Sequence, residues 1–208
     1  MLLTKKFILA LYCLFAISAW ADTSQPAGKE QCQDLIRRGK EAMSNQQYPL
    51  GLELLTKAEI LAKQKDWNEE LFLVKINIGN IYNVLNSYGD ALNYYRQALN
   101  IANELKSEED VAKVLTNIGW MYSNEKDYQN SIAYYSRAYK YKGATRPRIA
   151  VNISDVYIKL GNFREAKRYL EEVRDIATTH ETAQMWQINY AESLFLEGRT
   201  DDALEILE

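Results

Sequence analysis

Two residues before a small residue that recurs along the 208-residue chain stand Arg37, Asn77, Asn117, Asn152 and Asn189. Asparagine is a mediocre helix former, so four of them in one register of a helical pattern need a reason. A carboxamide carries two N–H donors and an oxygen acceptor. A row of them along a groove can hold an extended peptide backbone without reading its side chains. The same amides can equally tie the helices of neighbouring repeats together. Nearby positions set the character of such a surface. Asn80, Trp120, Asp155 and Glu192 follow the small residue by one. Ile36, Ile76, Val151 and Ile188 offer an aliphatic floor broken by Thr116, and Lys113, Arg148 and Lys159 a modest basic patch. A tryptophan such as Trp120 can stack on a ligand side chain or simply fill space. The candidate peptide-binding residues are therefore Asn77, Asn80, Lys113, Asn117, Trp120, Arg148, Asn152 and Asn189.

Little else in the chain could do chemistry. There is one histidine, His180, so a histidine-based metal site or a Ser-His-Asp triad would hang on it with no supporting spacing. Asp155 and Glu192 are single carboxylates with no nucleophile, metal set or glycine-rich phosphate loop beside them. The acidic runs "KSEED" and "YLEEVRD" read as solvated faces. No enzyme, cofactor or metal is expected, and a formal net charge of −3 leaves no global basic footprint for nucleic acid.

The elements that must position the asparagines are repeated. "INIGNIYNVLNSYGDALNYYRQA" (Ile76–Ala98) returns as "TNIGWMYSNEKDYQNSIAYYSRA" (Thr116–Ala138). Weaker copies lie on both sides, and the units are anchored at Gly39, Gly79, Gly119, Ser154 and Ala191, spaced 40, 40, 35 and 37 residues apart. Each unit reads as two helices and a tight turn. In the second unit the first helix is predicted from about Glu69 to Leu85, and Ser87 with Asp90 forms a capping box for the next. Asp127 and Asn162 stand where Ser87 stands. Pro49 and Pro147 suit first turns, and Gly143 a helix end. Twelve residues after each anchor is a second small residue: Gly51, Ala91, Ser131, Ala166 and Ala203. Small residues on both partners let two helices approach to the short end of the usual 8–10 Å range. Leu55, Tyr95, Tyr135 and Leu170 then fill the space beside the contact, with Tyr82, Tyr122 and Tyr157. Tyr94 and Tyr134 are expected between helices of adjacent units.

The succession of Gly, Tyr, Ala, aromatic and Ala, as "IGNIY…A…Y…A" and "IGWMY…S…Y…A", resembles the tetratricopeptide repeat family over about Cys32 to Glu208. The resemblance implies an all-α fold: a right-handed superhelical solenoid of antiparallel helix hairpins, about five repeats with the last one truncated, first helices lining the concave side. Family asparagines at the matching place hold peptide backbone. The family's carboxylate clamp is not claimed, because Ile76 and Asn152 stand where it wants basic residues. The family's usual period is 34 residues and its repeats close on a proline; this chain mostly uses 40 and lacks the proline. Both departures fit longer helices joined by linkers such as "KSEED".

The N-terminus reads as a targeting signal. "MLLTKK" is basic, "FILALYCLFAISAW" is apolar but too short to span a bilayer, and "AWA" at Ala19–Ala21 is a small-x-small cleavage pattern. Residues 1–21 are read as a signal peptide cleaved after Ala21, residues 22–31 as a linker and residues 32–208 as the repeat domain. The mature chain keeps one cysteine, Cys32, expected as a small core residue rather than a thiol in a disulfide. The sequence thus points to an exported, non-catalytic scaffold of the periplasm or cell envelope, holding a protein or an extended peptide. The alternative is a sensory ectodomain with a membrane helix beyond Glu208. Leu204 and Leu207 would face a missing neighbour, so the polypeptide is expected to continue or a partner to close the array. Contact with the membrane would come only through such a downstream segment or an uncleaved N-terminus.

Overall fold

The computed structural model describes residues 28–141, 143, 145–176 and 180–208. The segment expected to be a signal peptide, with its expected cleavage site, lies outside them. Every element among the described residues is an α-helix or a turn. The helices are α1 (28–44), α2 (Tyr48–Gln64), α3 (Asn68–Val84), α4 (Tyr88–Glu104), α5 (Glu108–Asn124), α6 (Tyr128–Tyr139), α7 (Arg146–Lys159), α8 (Phe163–Glu171), α9 (His180–Leu196) and α10 (Thr200–Leu207). Helix α1 takes in residues 28–31, which the sequence reading gave to a linker. The chain divides into two compact units, one up to Ile81 and one from Tyr82.

The 40-residue spacing has a simple origin. Each of α2 to α5 is 17 residues long and each connection from α1 to α6 is three, so the structural period is 20. Every one of these turns uses the same device. Gln46, Asp66, Asn86, Lys106 and Lys126 adopt φ of 60°, 53°, 59°, 54° and 64°, in the left-handed region. The residue after each sends its N–H back to the carbonyl five positions earlier, as in Ser87 to Tyr82 at 2.8 Å and Asp127 to Tyr122 at 2.9 Å. This is the Schellman closure, which satisfies carbonyls orphaned at a helix end. "KSEED" is therefore not a linker: Lys106 and Ser107 finish the turn, and Glu108–Asp110 form the first turn of α5. Ser107, Asp127 and Asn162 accept a backbone N–H from the residue three further on, whereas Ser87 donates its hydroxyl to Asp90 at 2.7 Å instead. Pro49 and Pro147 occupy first turns, where the missing N–H costs nothing.

Small residues set the helix spacing within hairpins. A Cβ on Gly119 would lie 2.7 Å from the ring of Tyr135, and the Ser131 hydroxyl donates to the Gly119 carbonyl at 2.8 Å. In the α1–α2 hairpin a Cβ on Gly39 would meet Leu55 at 2.8 Å, and one on Gly51 would lie 3.3 Å from the Gly39 carbonyl. Tyr95 and Tyr135 are fully buried. Tyr94 and Tyr134 stack within their own hairpins, on Tyr82 at 5.5 Å and on Tyr122 at 5.4 Å. Tyr157 and Tyr169 repeat the stack in the α7–α8 hairpin at 5.9 Å. Cys32 is buried, its thiol donates to the Ala58 carbonyl at 3.5 Å, and burial pushes its pKa up.

Candidate functional site

The register that carries the asparagines forms a stripe at i, i+4 and i+7 on each first helix. On α5 it holds Lys113, Asn117 and Trp120; on α7, Arg148, Asn152 and Asp155; on α9, Met185, Asn189 and Glu192. Helix α7 contacts both α5 and α9, so the three stripes run side by side in the second unit. In the first unit the same positions are Gln33, Arg37 and Lys40 on α1, and Leu73, Asn77 and Asn80 on α3.

The asparagines do not all face outward. Asn189 is buried and its amide donates to the Val151 carbonyl at 3.1 Å and to the Ser154 hydroxyl at 2.9 Å. It ties the fifth hairpin to the fourth. Asn77 is also buried and donates to the Leu73 carbonyl of its own helix at 2.6 Å. Asn80, Asn117 and Asn152 are half-buried. The difference follows from local crowding: Ser154 and the turn of α7 above Val151 give Asn189 buried polar partners to satisfy. Trp120 is 40 % exposed, and Arg148 is open to solvent.

The basic patch is largely neutralised. Burial by itself would lower the pKa of Lys113, but hydrogen bonds to Glu109 and Asp110 raise it above the ordinary lysine value. Lys113 lies 3.0 Å from Glu109 and 3.1 Å from Asp110. Lys159 pairs with Asp155 at 2.6 Å, which also removes Asp155 as an isolated carboxylate. Half of the aliphatic floor is core instead. Ile36 and Val151 are buried, Ile76 is half-buried and Ile188 is exposed, while the Thr116 hydroxyl donates to the Ala112 carbonyl at 2.7 Å. Residues one position before the asparagine stripe turn towards the neighbouring helix, which a helical wheel centred on the asparagines misplaces.

A depression of about 610 Å³ in the first unit falls on the same register. Gln33, Arg37 and Lys40 of α1 and Leu73 of α3 line it, with Ile36 at its base. The sequence reading took up Arg37 and Ile36 but passed over Gln33, Lys40 and Leu73. Their signal was present, since they stand 40 residues or 80 residues before Leu73, Lys113, Asn80 and Trp120. Arg37 is held by Asp34 and Glu41 of its own helix. Among the described residues no group of three or more His, Cys, Asp or Glu could hold a metal ion, and no helix is long and apolar enough to cross a membrane.

Tandem hairpins closed by small residues at a spacing of twelve define a helical repeat protein, and the chain belongs to the tetratricopeptide repeat family. Two tetratricopeptide repeat models match it, over residues 70–142 and 147–179, together just over half of its length. No curated protein matches the chain in sequence. Solved structures resemble it in fold. The Rap conjugation gene regulator of the plasmid pLS20, solved with a Phr peptide, superposes with a TM-score of 0.71 at 18 % identity, over 85 % of this chain and 50 % of the regulator. Pseudomonas aeruginosa pilF gives 0.68 at 19 %, over 86 % and 75 %. A putative kinesin light chain of Podosopora anserina with nearly identical TPR-like repeats gives 0.67 at 14 %, over 84 % and 90 %. The chain thus spans about half the length of the Rap regulator.

Proposed function

We propose that the protein is a non-catalytic scaffold that holds an extended peptide or a partner protein on the exposed stripe of its first helices. The observation that carries this reading is the depression over α1 and α3, which falls on the register inferred from the asparagine repeat. In the second unit the corresponding surface is Lys113, Asn117 and Trp120 beside Arg148 and Asn152. Half-exposed amides supply donors and acceptors for a backbone, and Trp120 supplies a flat apolar anchor of the kind enriched at binding hot spots. Asn77 and Asn189 serve the packing and are left out of the proposed surface. The Rap regulator's bound peptide agrees in class of partner, although the likeness itself carries the fold alone. Export rests on the basic start, the short apolar run and the Ala19–Ala21 pattern.

The test begins with capture of partners from the envelope of cells that make the protein, followed by mass spectrometry. Asn117→Ala with Asn152→Ala is expected to release the captured partner while the melting temperature stays nearly unchanged. Asn189→Ala should do the reverse, costing about 1–2 kcal/mol of stability and sparing binding below its melting temperature. Parallel losses of binding and melting in the Asn117/Asn152 variant would make those amides structural and end the proposal. N-terminal sequencing of the mature protein should begin at Asp22; an intact Met1 would remove the cleavage after Ala21, and recovery of the protein in the cytosolic fraction would remove the export reading.

A further inference from the structure

The depression over α1 and α3 has a chemistry that selects its guest. Ile36 lies buried at its base, and Leu73, 44 % exposed, stands as an open apolar wall. Its volume of about 610 Å³ falls within the range of about 300–1,000 Å³ usual for ligand clefts. Gln33, which also lines it, is turned from below. Its Nε2 donates to Glu70 Oε1 at 3.0 Å, and Lys29 reaches the same oxygen at 3.1 Å. Glu70 is buried, and its other oxygen has no hydrogen-bond partner among the described residues. A carboxylate only accepts, so the amide must give its nitrogen to Glu70 and keep its oxygen for a guest. Swinging the amide round would leave the buried carboxylate poorer still. Gln33 therefore presents an acceptor.

The charges of the rim do not cancel. Over residues 34–41 three cations stand against two carboxylates. Arg37 is held by Asp34 and Glu41, and Arg38 lies 3.7 Å from Asp34. Lys40 is exposed, lines the depression and forms no ion pair among the described residues. We infer that the depression seats a large apolar side chain of a peptide that carries an acidic residue beside it. The apolar group lies on Ile36 and Leu73, a backbone N–H of the peptide donates to the Gln33 oxygen, and the carboxylate pairs with Lys40. This inference rests on the scaffold reading above and adds the chemistry of the guest. Residues 22–27, "DTSQPA", offer no large apolar side chain for the seat.

The test uses the purified protein and two labelled peptides of equal length. Both carry one leucine and one phenylalanine; glutamates flank them in one peptide and lysines in the other. Fluorescence anisotropy should show binding of the glutamate peptide and at least about three-fold weaker binding of the lysine peptide, a margin within reach of exposed ion pairs. Lys40→Glu should reverse the preference. Leu73→Asp should weaken the glutamate peptide by about ten-fold or more, with the far-UV spectrum unchanged because Leu73 is open to solvent. Failure of both peptides to bind, equal binding of the two, or indifference to Leu73→Asp would overturn the inference. So would a dimer in sedimentation that Leu73→Asp dissolves, since it would give the depression to a second copy. The two readings fail separately. A captured partner that Asn117→Ala with Asn152→Ala releases, beside peptides indifferent to Leu73→Asp, would keep the scaffold and remove this guest.

Discussion

Gly119 offers the most direct test of how the hairpins close. A Cβ there would lie 2.7, 2.8 and 2.9 Å from Cδ1, Cε1 and Cγ of Tyr135, closer than side-chain carbons approach. Tyr135 cannot retreat, because its ring is fully buried. Nor can the helices part freely, since the Ser131 hydroxyl holds the Gly119 carbonyl at 2.8 Å. Overpacking of this kind costs about 1–3 kcal/mol, and the better helix propensity of alanine returns up to about 1 kcal/mol. Gly119→Ala should therefore destabilise by about 1–2 kcal/mol. Gly89, in the first turn of α4, has no atom within 4 Å of a built Cβ. The same substitution there should be neutral or stabilise by about 0.5 kcal/mol.

The cause can be separated from the effect with Tyr135→Leu. Ser154 and Leu170 hold the equivalent positions in the fourth hairpin, both fully buried, so a Cβ and a leucine are compatible at this crossing. A double-mutant cycle of Gly119→Ala and Tyr135→Leu, read by urea unfolding, should give a coupling of about 1 kcal/mol or more in the compensating sense. Far-UV circular dichroism and tryptophan fluorescence should be followed together, because repeat arrays can unfold in parts. A neutral Gly119→Ala, or a coupling below about 0.3 kcal/mol, would refute the steric account.

Lys75 and Glu59 form a nearly buried pair at 2.7 Å, with Lys63 at 2.5 Å on the outer side. Lys75→Met should cost about 3 kcal/mol, the low end for a broken buried pair, and Glu59→Leu with Lys75→Met should regain most of it. Burial raises the Glu59 pKa, but the two lysines outweigh it and hold the carboxyl below its ordinary value of 4.5. A depressed folded pKa gives stability that is present above the unfolded value and lost as pH falls through the folded one. Glu59→Gln should flatten the stability profile below about pH 4.5 in urea melts. Lys106→Gly and Lys126→Gly should each stabilise by about 0.5–1 kcal/mol, because glycine avoids the left-handed penalty but loses more entropy; a loss of stability in both would deny that these turns are strained.

The hairpin closure was legible because it depends on one pair of small residues at a fixed separation, and size is read directly from residue type. The turns were less legible. Five of them place a non-glycine residue at positive φ, and Gln46, Lys106 and Lys126 carry no local mark of that conformation; only their 20-residue spacing betrays it. The asparagine register was visible as a row, but its members separate by their second neighbours. Asn189 meets Ser154, a residue 35 positions away, and no pattern along α9 announces that meeting. The aliphatic floor failed for the same reason, since whether Val151 faces a groove or a neighbouring helix depends on where α9 lies.

The break in spacing between the third and fourth hairpins shows what replaces the three-residue turn when it is lost. Helix α6 ends at Tyr139 and α7 begins at Arg146, so the connection is longer while the hairpin that follows is shorter. Among the described residues of this connection no N–H returns to a carbonyl five positions earlier, as it does in the three-residue turns. Here the angle is set by side chains. The Tyr139 hydroxyl donates to Glu172 at 2.8 Å, Arg146 reaches the same carboxylate at 3.4 Å and lies over the Tyr139 ring at 4.5 Å, and Arg168 holds the other oxygen at 2.8 Å. Burial, then the neighbouring carboxylate, pushes the Tyr139 hydroxyl up to about 12, so it stays a donor at any physiological pH. One carboxylate that draws α6, α7 and the end of α8 together does for this junction what backbone hydrogen bonds do for the others. That substitution is why the repeat can change its period here without losing its register, and why the asparagine stripe continues in step from α5 to α7.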